Sequence, residues 1–167
     1  MNYIKITKHD IANGPGVRVV LWVAGCKVHC KNCQNPQTWD FNAGKPFNET
    51  AKQELFEALD KHYIQGITLS GGHPLEPENF ETVLNLAREI KEKFPTKDIW
   101  LYTGYPYEEL YYRRISRILL YVDVLVDGPY IEEQRDITLP FRGSKNQRII
   151  DVNETLKQGQ IIQYKIN

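Results

Sequence analysis

Between residues 17 and 126 the chain alternates stretches that read as strands with stretches that read as helices, and that alternation leaves few folds open to it. Residues 17–24 (VRVVLWVA) are β-branched, aromatic and nearly all apolar, as in a strand buried on both faces. Residues 66–70 (GITLS), 98–103 (DIWLYT) and 122–126 (VDVLV) have the same character. Asn48 is a good helix N-cap, Glu49 suits the positive end of the helix dipole, and Leu55, Phe56, Leu59 and Tyr63 follow at helical spacing. Phe80, Val83, Leu84, Ala87, Ile90 and Phe94 mark a second amphipathic helix, stopped by Pro95. A third helix is predicted over residues 110–121. Residues 3–7 read as an edge strand, 148–152 and 160–166 as short strands, and 153–157 as one or two helical turns. The order β-α-β-α-β-α-β calls for parallel strands joined by right-handed crossovers. Four or five such strands are too few for a closed eight-stranded barrel. The expected fold is therefore α/β, an open partial (β/α) barrel of mostly parallel strands, in a single domain over residues 1–167.

In such a sheet the loops leaving the strand C-termini gather on one edge, where ligands bind. Four unusual loops sit at those places: the segment from Cys26 to Cys33, Gly71-Gly72-His73-Pro74, Thr103-Gly104-Tyr105-Pro106 and Asp127-Gly128-Pro129-Tyr130. All 3 cysteines of the chain lie in the first. An odd number in so short a loop makes no disulfide framework, but it can bind metal. The spacing C-x3-C-x2-C lets Cys26, Cys30 and Cys33 ligate three irons of a four-iron cluster and leaves the fourth iron an open position. A ferredoxin, which only moves electrons, supplies four cysteines. Structural zinc would need a fourth ligand, conceivably His29 or His9, and His29 directly precedes Cys30, a poor place from which to share one tetrahedral ion. Three unligated thiols is the remaining reading. The paired glycines Gly71 and Gly72 allow backbone to approach a ligand closely.

Composition narrows the partners. With 21 basic and 21 acidic side chains there is no electrostatic case for nucleic acid or a membrane surface. No apolar run approaches a membrane span, and the polar, alternating start is unlike an export signal. A reducing cytoplasm is the expected setting. No hydrolytic triad or phosphate-binding loop stands out.

The cysteine loop after the first long strand, with Gly-Gly-x-Pro after the next, resembles the radical S-adenosylmethionine superfamily. Further segments are similar to the activating proteins of anaerobic ribonucleoside-triphosphate reductases: Asn13-Gly14-Pro15-Gly16, Thr38-Trp39, the run from Gln65 to Gly72, Lys97-Asp98-Ile99-Trp100, Thr103-Gly104-Tyr105, the run from Val124 to Gly128, and Arg142-Gly143-Ser144 with Asn146-Gln147-Arg148. The resemblance implies a radical-SAM type of partial barrel. It also implies a 4Fe-4S cluster on Cys26, Cys30 and Cys33, and S-adenosyl-L-methionine as cofactor. The cofactor would be cleaved reductively with an electron from an external low-potential donor, and a glycine of the reductase large subunit would lose a hydrogen atom. No catalytic side chain is implied beyond the cluster and cofactor. Gly71 and Gly72 match the turn that contacts the methionine part, and Asn32, Cys33 and Gln34 lie where the family loop runs along the cofactor. Two positions depart from the family pattern: Gln34 replaces the usual aromatic residue, and His73 replaces the usual acid between Gly-Gly and Pro. Two other readings stay open, an activase of a different glycyl-radical enzyme and a non-catalytic metal-binding or electron-transfer module.

Several side chains carry a sharper and a plainer expectation. Trp39 can shield a cluster or simply pack. Asp127 can contact a ribose or cap its loop. Residues 142–148 and the tail to Asn167 are expected to offer docking surface to a protein partner. Gly72→Val is expected to weaken cofactor binding and spare the cluster, and His73→Asp to be tolerated.

Overall fold

A computed structural model describes residues 1–166; Asn167, the last residue of the expected docking tail, lies outside them. Seven strands form one sheet: β1 (Asn2–Asp10), β2 (Val17–Val23), β3 (Lys45–Pro46), β4 (Ile64–Gly71), β5 (Asp98–Tyr102), β6 (Val124–Asp127) and β7 (Arg148–Asp151). Their spatial order is β3-β1-β2-β4-β5-β6-β7. The central four, β2, β4, β5 and β6, are parallel, while β1, β3 and β7 add antiparallel margins. The two end strands do not meet, so the sheet is open. The predicted edge strand is longer than expected, and two residues of β3 lie outside it. Residues 160–166 form no strand; they run beside β7 through a single bridge, Ile150 to Gln163.

Helices α1 (Glu49–Leu59) and α2 (Pro77–Lys93) cover one face of the sheet. The Asn48 side chain caps α1 by accepting from the Ala51 N–H at 3.0 Å, as its sequence position suggests. Along α2 the buried Phe80, Val83, Leu84, Ala87 and Ile90 follow the 3.6-residue period. They pack on Val19, Leu21, Val23, Ile67, Leu69, Ile99 and Leu101, the alternate positions of the parallel strands. Each such Val, Leu, Ile or Phe side chain contributes about 1.5–3 kcal/mol on burial.

The third predicted helix is broken. Its first part, α3 (Glu109–Tyr112), closes when the Ile115 and Arg114 N–H groups bond to Leu110 and Tyr111 carbonyls, with Arg114 left-handed at φ 58. A 3-10 segment, Ser116–Leu120, then completes the crossover. The apolar spacing gives the reason. Leu110 and Ile115 are both buried but five residues apart, a step that a continuous helix cannot keep on one face. Helix α4 (Val152–Gln158) follows β7, capped by Asp151.

The other face of the sheet is not covered by helices. It carries Trp100, Val124, Val126 and Ile149, with Phe141 and Tyr164 packed against them. Arg18 projects into it from β2 and is fully buried. Its guanidinium donates to Thr68 Oγ1 (3.0 Å), Ile67 O (3.0 Å) and Pro15 O (3.1 Å), and pairs with Asp98. Burying a charge is costly without such bonds; here they pin the turn after β1 beneath the sheet. That turn brings Asn13, whose carbonyl accepts from Thr68 Oγ1 at 2.7 Å, into the floor of the site described next.

Candidate metal and cofactor site

The loop after β2 owes its shape to backbone contacts with its neighbours. The Gly25 N–H donates to Thr38 O (2.7 Å) and the Cys26 N–H to Trp39 O (3.1 Å), so the segment folds back on itself around the three cysteines. Gly25 has φ +95, and the Phe41 ring occupies the space a Cβ would need. His29 and Asn32 also have left-handed backbone, at φ 48 and 54, which lets the chain turn between the cysteines. The loop after β4 is zipped to this one. Gly72 N–H donates to Val23 O and His73 N–H to Gly25 O, both at 2.8 Å, carrying the pairing of β2 and β4 past the strand ends.

One cavity results, about 810 Å3 with its open mouth included. Cys26, Cys30 and Cys33 line it together with Ser70, Gly71, Gly72 and His73. Loops after β5 and β6 add Thr103, Gly104, Gly128 and Tyr130, so all four loops expected at this edge reach it. Gln34 lines the mouth. Asn32 does not line the cavity; it is exposed, and its left-handed backbone gives it a turn-forming part. Trp39 lines the wall, its ring stacked on His29 at 4.4 Å between centroids.

The donor set suits an iron–sulfur cluster. All three thiols are free and half-buried. Burial pushes the Cys26 and Cys30 thiols up, while backbone N–H groups of Val28 and His29 at Cys26, and of Tyr130 at Cys30, act the other way by favouring the thiolate. Asn35 N–H donates to Cys33 Sγ at 3.4 Å. Such N–H to sulfur contacts tune cluster ligands in general. The wall also holds a spare donor, the buried indole Nε1 of Trp39, which has no hydrogen-bond partner among the described residues. Among the described residues no three His, Cys, Asp or Glu side chains come together to hold a single ion. A four-iron cluster makes a different demand, with each thiolate on its own iron. His29 is engaged with Trp39, and His9 bonds Tyr63 Oη at 3.0 Å out on β1.

His73 is buried, and both its ring nitrogens are engaged. Gly104 N–H donates to Nε2 at 3.2 Å, so this nitrogen accepts, and Nδ1 carries the proton towards Glu76 Oε1 at 3.2 Å. Thr103 Oγ1 sits 2.8 Å from Nε2. The histidine thus joins the loops after β4 and β5. Tolerance of His73→Asp no longer follows, because the new carboxylate would face buried Glu76. The expected result is a loss of about 3 kcal/mol in urea unfolding at neutral pH. An unchanged midpoint would show that the pocket accepts two carboxylates.

Asp127 is buried and accepts from Tyr107 N–H (2.7 Å) and the Arg148 guanidinium, which fixes it as a loop cap. Residues 142–148 are for the most part half-buried, with Lys145 exposed. Ser144 is fully buried, Gln147 Oε1 accepts from Gly143 N–H (2.9 Å), and Gly143 and Gln147 line the cavity. Tyr130 lies in a loop expected at this edge, but Asn13 and Gln147 were not legible as residues lining the cavity. These two reach it because the turn after β1 and the end of the β6–β7 connection come to the cavity, and local pattern does not encode that.

Comparison with known proteins defines the class first. The family described as "4Fe-4S single cluster domain" matches residues 12–150. Curated relatives are more particular. An "Anaerobic ribonucleoside-triphosphate reductase-activating protein" of Enterobacteria phage T4 is 46% identical over 149 residues, 89% of this chain and 93% of the relative. Proteins of the same name from Haemophilus influenzae and Escherichia coli are 44% and 42% identical, covering 89% and 88% of this chain and 97% and 96% of theirs. The chain belongs to the family of anaerobic ribonucleoside-triphosphate reductase-activating proteins. No helix among the described residues is long and apolar enough to cross a membrane.

Proposed function

We propose that this chain is a radical S-adenosylmethionine activase, one radical-SAM domain of the partial-barrel type over residues 1–167, that installs a glycyl radical on the large subunit of an anaerobic ribonucleoside-triphosphate reductase. The observation that carries the reading is the meeting of Cys26, Cys30 and Cys33 with the Gly71-Gly72 turn in one cavity at the C-terminal edge of the parallel strands. The relatives' name supports the partner. Cys26, Cys30 and Cys33 would hold the 4Fe-4S cluster as thiolates. Bound there and reduced by an external low-potential donor, the cluster would supply the one electron for reductive cleavage of S-adenosyl-L-methionine, the radical chemistry needed to remove a hydrogen atom from the partner's glycine.

The chain's own work is to hold and enclose. Gly71 and Gly72 offer backbone without a side chain in the way, which suits the methionine part. Cys33 and Gln34 border the mouth, where the Gln34 amide can meet the edge of a base. His73 lends ring surface and backbone, its nitrogens being engaged elsewhere. A cytoplasmic setting keeps the thiols reduced.

The test is anaerobic reconstitution with iron and sulfide, then reduction with S-adenosyl-L-methionine and the reductase. A glycyl doublet in the electron paramagnetic resonance spectrum, with one 5′-deoxyadenosine per radical, is expected only when all components are present. A doublet that forms with a different glycyl-radical enzyme but never with the reductase would overturn the partner. Absence of cofactor cleavage by a fully loaded, reduced cluster would overturn the activity.

A further inference from the structure

We propose that Glu76 is a positioning residue of this site: its buried carboxylate ties the cysteine loop to the Gly-Gly-His-Pro loop and so sets where Cys26 stands. The inference rests on the three-cysteine reading above. Glu76 is 1% exposed, a rare state for a carboxylate. It stands at the N-cap of α2, yet its side chain makes no capping bond. The Asn79 and Phe80 N–H groups are taken by its main-chain carbonyl instead, each at 2.9 Å.

The carboxylate is turned towards the loops. Oε1 accepts from the Lys27 N–H at 2.8 Å and from His73 Nδ1 at 3.2 Å, and Oε2 accepts from Tyr105 Oη at 3.5 Å. These three donors come from the loops after β2, β4 and β5. Burial alone would raise the Glu76 carboxyl, but the bonds from His73 and Lys27 outweigh it and hold it below the ordinary range. Of the described side chains only His73 comes within ion-pair distance of it, so N–H and O–H donors must offset most of the desolvation.

The Lys27 N–H belongs to the peptide leaving Cys26. Fixing that peptide fixes the start of the turn whose next N–H groups, Val28 and His29, point at Cys26 Sγ. A carboxylate so placed also puts negative charge beside one cluster ligand. Negative charge near a cluster disfavours the incoming electron and lowers its reduction potential.

Three chains separate this role from a structural one: the parent, Glu76→Gln and Glu76→Ala. The glutamine keeps an acceptor for Lys27 N–H and removes the charge; the alanine removes both. In cluster-free protein, hydrogen exchange at the Lys27 amide should match the parent in the glutamine variant. It should be at least about tenfold faster in the alanine variant. After anaerobic reconstitution the glutamine variant should carry parental iron and sulfide with a more positive midpoint potential, and the alanine variant should carry less iron. Unchanged Lys27 exchange in Glu76→Ala, or an unchanged potential in Glu76→Gln, overturns the proposal. If the alanine variant does not fold, the potential of the glutamine variant decides. A parent chain that takes up no iron counts against the three-cysteine reading instead, and Lys27 exchange still judges Glu76.

Discussion

Replacing Cys26, Cys30 or Cys33 by Ala should abolish cluster retention and reduce 5′-deoxyadenosine formation to background, while the chain stays folded. All three lie in one half-buried loop outside the hydrophobic clusters, so removing a thiol opens no core cavity. The cluster-free variants should unfold within about 0.5 kcal/mol of the cluster-free parent. Loss of one thiolate, by contrast, leaves one iron without its protein ligand. Iron and sulfide analysis after anaerobic reconstitution, with product analysis under reduction, gives the answer for each position. A variant with parental iron content and parental cleavage would remove that cysteine from the ligand set.

Gly72→Val should cost the protein both its cluster and its cofactor binding. The expectation from sequence, that the cluster would survive, changes with the geometry. A Cβ on Gly72 would stand 2.6 Å from Gly25 O and 2.9 Å from Thr38 O. Those carbonyls belong to the strands of backbone that enter and leave the cysteine loop, and backbone cannot swing aside as a long side chain can. Gly72→Ala already forces the two loops apart, and Val adds two methyl groups. Overpacking of this kind costs about 1–3 kcal/mol, here concentrated on the contact that shapes the cavity. Iron content and S-adenosyl-L-methionine binding, measured on the same preparations, should fall together. A Val variant that keeps its iron and loses only cofactor affinity would restore the simpler view of a turn that touches ligand alone.

The sheet was legible because its strands state themselves. β2 is nearly all apolar between Gly16 and Gly25, and β4 and β6 end on glycine-containing turns. The helix over 110–121 was misread because its apolar residues are dense enough to suggest any period, and because Arg114 takes the left-handed place where a glycine would have announced the break. The cysteines were legible as a set because they share one loop. Glu76 was not, because a glutamate before Pro77 and α2 reads as an ordinary helix start. Its role depends on Lys27, His73 and Tyr105 arriving from three loops, 49, 3 and 29 residues away.

An unclosed sheet has two free sides, and each could recruit a strand from another copy and seed aggregation. Here both are blunted. Beyond its short pairing with β3, which ends in Pro46, β1 carries Lys5, Lys8 and His9, and two register shifts in its pairing with β2 break its regularity. On the far side the tail shields β7, with Asp151 N–H donating to Ile162 O (2.9 Å) and Tyr164 N–H to Ile149 O (2.8 Å). The fold can therefore leave its mouth open to a macromolecule without inviting self-assembly along its margins. A visiting protein has to be met by loops and side chains, which can be selective, and not by bare peptide groups, which cannot.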